Sequence, residues 1–453
     1  MLSARFLVVL CGIARCLASS PIGLLWTNWD GLQQSVPEAY LQPRSEEDIV
    51  SMVLSAYRNN QTMKVIGSGL SFSGVQLNAP EGNMMSLEKY NKILSIKPIS
   101  GSENSLVEVQ AGIAVRDLCE LLDKHSLSLI NLGATATQSI AGATATGTHG
   151  TGVALGNLAS QIHAVRVVDS RGVVHVANAE TKKELFDAVR VGFGAVGVIS
   201  TMTLTVVPSW KMHVYQQYSP LDSLLDSLGS MVAEYPRMQW SFVPYSNDAV
   251  VVIREDVSDD TPIYPPDPDG GCWSDTQQTS DYSTKSTSVG CTDWSYKTLT
   301  DSQGHYDQRS LYTEMEMMIP IEHTVAAVQD YIAFMDTIKD QHDPEKYVSV
   351  MIRYVAGDDI LLSPMYGRET AVISIIVMED SEEFTRYATG LQSLCQEKYS
   401  GRPHWGKVNY ILDDEASYLA DAYPDTYSSF KSVMARMDPQ GMFLNEYIQD
   451  RIK

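Results

Sequence analysis

Basic residues are scarce in this chain: 33 lysines and arginines face 55 aspartates and glutamates among 453 residues, for a net charge of −22. So acidic a surface repels the phosphates of nucleic acids and anionic lipids, which excludes both as partners. No internal run approaches the ~18 apolar residues of a membrane-spanning helix. Internal repeats are absent. The nine histidines are scattered, without the Cys/His spacing of a metal site. Cysteine is sparse too, at six. Cys11 and Cys16 fall in the N-terminal 20 residues. Cys119 and Cys395 sit in helical patterns and read as buried thiols. Cys272 and Cys291 bracket a polar stretch, which a disulfide can close if the chain is exported.

What is present is globular. Hydrophobic residues make up 44% and charged residues 19%, over a length that suits about two domains and a small or neutral ligand. Residues 1–20 read as a targeting segment. Arg5, an apolar run over residues 6–14 and the small Ala18-Ser19-Ser20 fit a secretory signal cleaved between Ala18 and Pro21. The alternative is a mitochondrial presequence, since Arg5 and Arg15 precede the first acidic residue, Asp30.

Strands and helices alternate over residues 21–208, with glycine-rich connections. Ser45 followed by Glu46, Glu47 and Asp48 predicts a helix start. "MKVIG" and "SLVEVQAGI" predict strands, and so do the two arms around the Asp169-Ser170-Arg171-Gly172 turn. Residues 209–404 read as a second, α+β unit, with strands at "YTEMEMMIP", "YVSVMIRYV" and "TAVISIIVM" separated by helices. Within it, residues 256–300 are poor in apolar side chains and read as an inserted loop. Residues 405–453 form a mostly helical tail.

Two segments carry chemistry. "GSGLSFSG", residues 67–74, packs glycines and hydroxyls as a backbone cradle for phosphate does, yet presents Leu70 in its middle. "NLGATATQSIAGATATGTHGTG", residues 131–152, offers amides and threonine hydroxyls able to wrap a pyrophosphate without a cation. Neither segment has the Gly-Lys-Ser/Thr of a P-loop or the spacing of a Rossmann fingerprint.

Together with "GFGAVGVIS", "AGDDILLSP", "GRPHWGK" and "DPQGMFLN", these motifs resemble the aldonolactone oxidoreductases, flavoproteins of the vanillyl-alcohol-oxidase type, from about Trp29 to the C-terminus. That group includes L-gulonolactone and D-arabinonolactone oxidases and, further off, alditol oxidase. The resemblance implies a two-domain α+β flavoprotein. A PCMH-type FAD-binding domain, built from residues 21–208 and the tail, would be covered by an α+β cap. FAD contacts are implied for Gly67, Ser68, Gly69, Leu70 and Ser71, and for Gly133, Ala134, Ser139, Gly142, Thr146, Thr148, His149 and Gly150. Gly197, Val198, Ile199 and Lys407 complete that set. Many relatives carry a histidine at the position of Leu70 and bind FAD covalently through it. Leucine forms no such bond, so non-covalent FAD is expected. His149 reads as structural.

The family's Glu-x-Arg, which faces flavin and substrate, is represented by Met351-Ile352-Arg353. Arg353 and Lys407 are expected to supply positive charge to the reduced flavin or a substrate oxygen. The glutamate is replaced by Met351, which leaves the pocket short of a carboxylate and open to a less hydroxylated substrate or to little turnover. His404 reads as structural. Gly133 matches a position where relatives differ in oxygen reactivity, and its small size favours an oxidase. The expected reaction moves hydride from a secondary alcohol, most simply an L-gulono-1,4-lactone-like compound, to flavin N5, then reduces O2 to H2O2. The alternatives are a dehydrogenase serving a cytochrome or quinone, and a flavin-binding protein without turnover.

Overall fold

The computed structural model describes residues 24–78, 82–264, 290–300, 311–342, 348–378, 382–410 and 415–452. The targeting segment, with Cys11 and Cys16, lies outside them, as do Cys272 and most of the polar stretch it opens. Cys291 is disulfide-bonded. Cys119 and Cys395 are free and buried, as their helical patterns imply.

Among the described residues the first lobe holds three sheets, the smallest being the antiparallel pair Trp26–Thr27 and Gln34–Ser35. Tyr40–Leu41, Asn83–Ser86 and Met63–Ile66 form a small parallel sheet with Asn83–Ser86 in the centre. An antiparallel sheet runs in the order Val174–Asn178, Ile162–Val168, Val198–Pro208, Ser105–Gln110, Ile93–Pro98, with Leu127–Ser128 added to the end of Val198–Pro208. The Glu46–Arg58 helix starts where its sequence predicts: Ser45 Oγ accepts from the Asp48 amide at 3.1 Å, and three acids fill the positive first turn. Its spacing buries Ile49, Val53 and Ala56 on one face.

The second lobe is one antiparallel sheet of eight strands, ordered Cys291–Trp294, Lys211–Pro220, Asp248–Val257, Gln239–Phe242, Val348–Val355, Thr370–Met378, Tyr312–Pro320, Arg402–Pro403. The edge strand Cys291–Trp294 and the short Ser295–Thr298 helix occupy the end of what the sequence presents as a loop over residues 256–300. Low apolar content concealed them, because the strand buries polar side chains: Thr292 and Asp293 are both buried, and Thr292 Oγ1 lies 2.9 Å from His213 Nδ1. Helices Leu221–Glu234, Thr324–Thr337 and Glu382–Tyr399 supply Leu224, Tyr331, Phe384 and Leu391 to a core shared with Met315, Met317, Val350, Ile352, Ile373 and Ile375 of the sheet. Period-two alternation then turns Glu314, Glu316, Met351, Arg353, Ser374 and Ile376 to the opposite face.

The tail packs on the first lobe. Trp405, Phe430 and Phe443 join its core, the Met63 amide donates to Met442 O at 2.8 Å, and Asn445 Nδ2 donates to Leu77 O at 2.7 Å. Ile360 and Leu362 enter the same core from the second lobe, and Trp405 Nε1 donates to Leu362 O at 2.8 Å. This packing sets the polar face of the eight-stranded sheet against the glycine-rich turns.

Candidate active site

A cleft in the first lobe begins where the Met63–Ile66 strand ends. Gly67 follows, and a Cβ there would overlap Ser139 Oγ, so only glycine permits this approach of two turns. Gly69 (φ +70°) and Gly197 (φ +134°) take conformations that L side chains avoid. Gly67, Ser68, Gly69, Ser139, Gly142, Gly197 and Ile199 line this cleft. Among the described residues that line it, Lys64 is the one charged side chain. Lys64 is fully buried, donates to Phe193 O at 2.8 Å, and is pushed down to about 7 by burial. A neutral cradle of hydroxyls and backbone with a single amine and no carboxylate fits the pyrophosphate of FAD.

A second chamber opens between the lobes. Gly133, Ala134, Thr148 and His149 line it from the first lobe, and Met351 and Arg353 from the sheet. His404 and Lys407 come from the segment leading into the tail. Leu70, Ser71, Gln138 and Thr146 line both chambers, so Leu70 stands at their junction. Gly150 and Val198 reach neither chamber. Gly150 lies behind the wall with its carbonyl near His149 Nδ1 (2.8 Å), and Val198 is in the first core. A strand's alternation sends Val198 inward while Gly197 and Ile199 face the cleft.

Two glutamates that the sequence reading passed over dominate the second chamber. Glu314 and Glu316 project from the Tyr312–Pro320 strand, and the carboxylate missing at Met351 is thereby supplied from another strand. Glu316 lies in one row with Ser374 and Met351. Ser374 Oγ donates to Glu316 Oε1 at 3.1 Å, and Arg353 Nη1 lies 3.6 Å from the same oxygen. Arg353 Nη2 also donates to Met351 Sδ at 3.2 Å. Lys407 Nζ donates to Glu314 Oε2 and lies 5.2 Å from the centre of the Phe72 ring. Lys407 is thus an ion-pair member with its charge partly answered, and not a lone cation.

Protons in this cluster follow from its hydrogen bonds. His404 Nδ1 accepts from the Gly406 amide at 3.0 Å, so the proton of its neutral ring is on Nε2. Burial pushes this imidazole down to about 3, and it stays neutral. His149 Nδ1 faces a carbonyl, and its Nε2 lies 3.3 Å from Glu316 Oε2, a line that requires a proton. Burial raises the Glu316 carboxyl, but Lys407 and His149 outweigh it and hold that carboxyl well below the usual range. The ligand-type atoms of His149, Glu316 and His404 lie within 4.8 Å of one another. Glu316 Oε2 lies 3.3 Å from His149 Nε2 and 3.9 Å from His404 Nε2.

Comparison with known proteins identifies the assembly. Residues 37–178 match the FAD binding domain family, and residues 295–451 match the D-arabinono-1,4-lactone oxidase family. The L-gulono-1,4-lactone dehydrogenase of Mycobacterium tuberculosis is 30% identical over 443 residues, covering 93% of this chain and 98% of that protein. The chain belongs to the aldonolactone oxidoreductase family. The L-gulonolactone oxidase of Bos taurus is 29% identical over 94% of this chain and 98% of its own length. In fold, this aldonolactone oxidoreductase superposes on a cholesterol oxidase from B. sterolicum with a TM-score of 0.77 at 13% identity, covering 95% of this chain and 96% of that one. The chain is therefore an FAD-dependent oxidoreductase with an FAD-binding lobe and an α+β sheet lobe.

The aldonolactone oxidoreductase brings together Arg353, Met351, Lys407 and Gly133, as its motifs imply. Glu314 and Glu316 had a signal of their own. "TEMEM" places charges at alternate positions of a strand whose intervening methionines are fully buried, so both carboxyls must face a polar cavity.

Proposed function

We propose that this enzyme oxidises a carbinol of an aldonolactone of the L-gulono-1,4-lactone type, with dioxygen as electron acceptor and hydrogen peroxide as product. The observation that carries the reading is the continuity of two chambers through Leu70, Ser71, Gln138 and Thr146. One chamber suits a dinucleotide, and the other presents Arg353, Lys407, Glu314 and Glu316 to a small, neutral, hydroxyl-rich molecule. Bound FAD supplies the hydride acceptor. Arg353 and Lys407 hold the substrate's oxygens and stabilise negative charge, and the carboxyls accept hydrogen bonds from its hydroxyls.

The FAD is held non-covalently. Leu70 offers no nucleophile. Among the described residues lining both chambers there is no cysteine, and the ring nitrogens of His149 and His404 face partners already. The chain is exported, a reading supported by the disulfide at Cys291. N-terminal sequencing of the exported protein should then begin between Ser19 and Pro21.

One observation leaves room for a second acceptor class. A Cβ at Gly133 would lie 2.5 Å from Thr148 Cγ2, so packing demands glycine there whether or not oxygen enters. A quinone or cytochrome would then reoxidise the flavin. The test is anaerobic mixing with L-gulono-1,4-lactone, then separate mixing with O2, a quinone and cytochrome c. Reduction by the lactone, fast reoxidation by O2 with peroxide formed, and FAD in the supernatant after acid precipitation are expected. Reoxidation by the quinone alone overturns the oxidase reading, and flavin in the pellet overturns the non-covalent one. In a Thr148→Ser background, which removes Cγ2, Gly133→Ala should slow reoxidation by O2 at least about tenfold more than it slows reduction.

A further inference from the structure

Two buried carboxyls stand two residues apart on one strand, and their surroundings differ. Both oxygens of Glu316 are engaged, by His149 Nε2 at 3.3 Å and Ser374 Oγ at 3.1 Å, with Arg353 Nη1 at 3.6 Å and His404 Nε2 at 3.9 Å. A proton arriving there must displace one of these groups. The carboxyl of Glu314 has one hydrogen-bonding partner among the described residues, Lys407 Nζ on Oε2. Its side chain lines the substrate chamber.

We propose that Glu314 accepts the hydroxyl proton of the substrate carbinol, while Glu316 remains ionised and positions His149, His404 and Arg353. The proposal rests on the carbinol-oxidation reading above. In the step, the substrate O–H bond breaks and an O–H bond forms on Glu314. The C–H bond breaks, its electron pair leaves with the hydrogen to the enzyme's FAD, and the C=O bond forms. The proton on Glu314 passes to solvent when the chamber opens.

Charges around Glu314 come from several elements. Lys407 faces it from the segment after Trp405, and Arg353 from the Val348–Val355 strand. Glu316 and the Tyr312 hydroxyl share its own strand. Ile376 is its cross-strand neighbour, and His149 and His404 stand beyond Glu316. Burial raises the Glu314 carboxyl, Lys407 opposes, and Glu316 adds to the rise, for a net position above the usual range. Neighbouring carboxyls pushed apart in this way divide into a titrating base and a permanent anion.

The test compares wild type with Glu314→Gln, Glu314→Asp and Glu316→Gln, checking each for FAD content and circular dichroism. In wild type, kcat/KM should fall about tenfold per pH unit on the acid side as Glu314 protonates. Glu314→Gln should lose that limb and slow anaerobic flavin reduction by at least about 100-fold. Glu314→Asp should keep the limb at an intermediate rate, and Glu316→Gln should keep it at reduced substrate affinity. In infrared pH titrations of the substrate-free protein, a protonated-carboxyl band additional to that of Asp358 and the other acids should grow as pH falls, persist in Glu316→Gln and be missing from Glu314→Gln. Retention of the acid limb or of that band in Glu314→Gln overturns the proposal while wild-type lactone oxidation stands. A wild type that no carbinol reduces overturns the function reading, and this proposal with it.

Discussion

Met351 sets the polarity of one wall of the substrate chamber. Its sulfur accepts from Arg353 Nη2 at 3.2 Å, so the arginine is held but a sugar hydroxyl beside it finds no good acceptor. An unmet buried hydrogen bond costs about 1–3 kcal/mol, or roughly tenfold or more in catalytic efficiency. Met351→Gln should therefore raise kcat/KM for L-gulono-1,4-lactone about tenfold. Met351→Glu should gain less, because Glu314 and Glu316 already place two carboxyls in the chamber and a third adds like-charge repulsion. Steady-state kinetics on the lactone and on a deoxy analogue check both. Equal kcat/KM for wild type and both variants would remove Met351 from substrate contact. The change at Met351 could be read from the sequence by motif. The glutamates show in the sequence as alternating charges of a strand, but their place beside Met351 does not, since Glu316 lies 35 residues away (351 minus 316) on another strand.

Elements matter here chiefly through where they end. The Met63–Ile66 strand stops at Gly67 so that the following turn can lie against Ser139, which precedes the Ile140–Ala145 helix. Gly67→Ala drives a Cβ into Ser139 Oγ and should lower FAD affinity at least about tenfold, measured by fluorescence titration of the apoprotein. Adding Ser139→Ala removes Oγ and leaves the Ser139 Cβ position 3.1 Å away, so the double variant should recover much of the loss. No recovery would mean that Gly67 is required for its backbone alone. The glycine pattern pointed to a close approach, but only the packed turns identify Ser139 as what is approached. The Tyr312–Pro320 strand teaches the converse. Its alternation is plain in the sequence, but which face meets a core and which a chamber depends on the helices laid over the sheet.

At the scale of the whole molecule, the two lobes meet where His149 Nε2 of the first lies 3.3 Å from Glu316 Oε2 of the second. His404 lies beside it, neutral and buried, pushed down to about 3 from an ordinary 6.5. The unfolded chain takes up that proton near 6.5 and the folded chain only near 3, so the unfolded state binds more protons in between. Stability must then fall as pH drops through that window, with a slope of up to ~1.4 kcal/mol per pH unit. Glu316 acts in the same direction lower down. Its depressed carboxyl contributes stability above the ordinary value of 4.5, and that contribution is lost as pH falls through its folded value. His404 should therefore tilt thermal unfolding midpoints downward below about pH 6.5, against the opposite tilt from the raised carboxyls of Glu314 and Asp358, and His404→Gln should remove its share of the downward tilt between pH 6.5 and 4.5. An unchanged slope in that variant would assign the acid sensitivity elsewhere.

The sequence by itself determined what local chemistry can determine. Ser45 and three acids start a helix, alternation marks the strands, and clustered glycines and threonines mark turns that approach a phosphate. Leu70 has no nucleophile, which is what points to the non-covalent flavin proposed above. Each of these is a property of neighbours along the chain, so a short window contains it. Tertiary structure alone decided the electrostatics of the chamber. Glu314 and Lys407 are 93 residues apart, and His149 and Glu316 are 167 apart. Their protonation depends on burial and on charges contributed by separate elements, and neither exists until the sheet face closes over the glycine-rich turns.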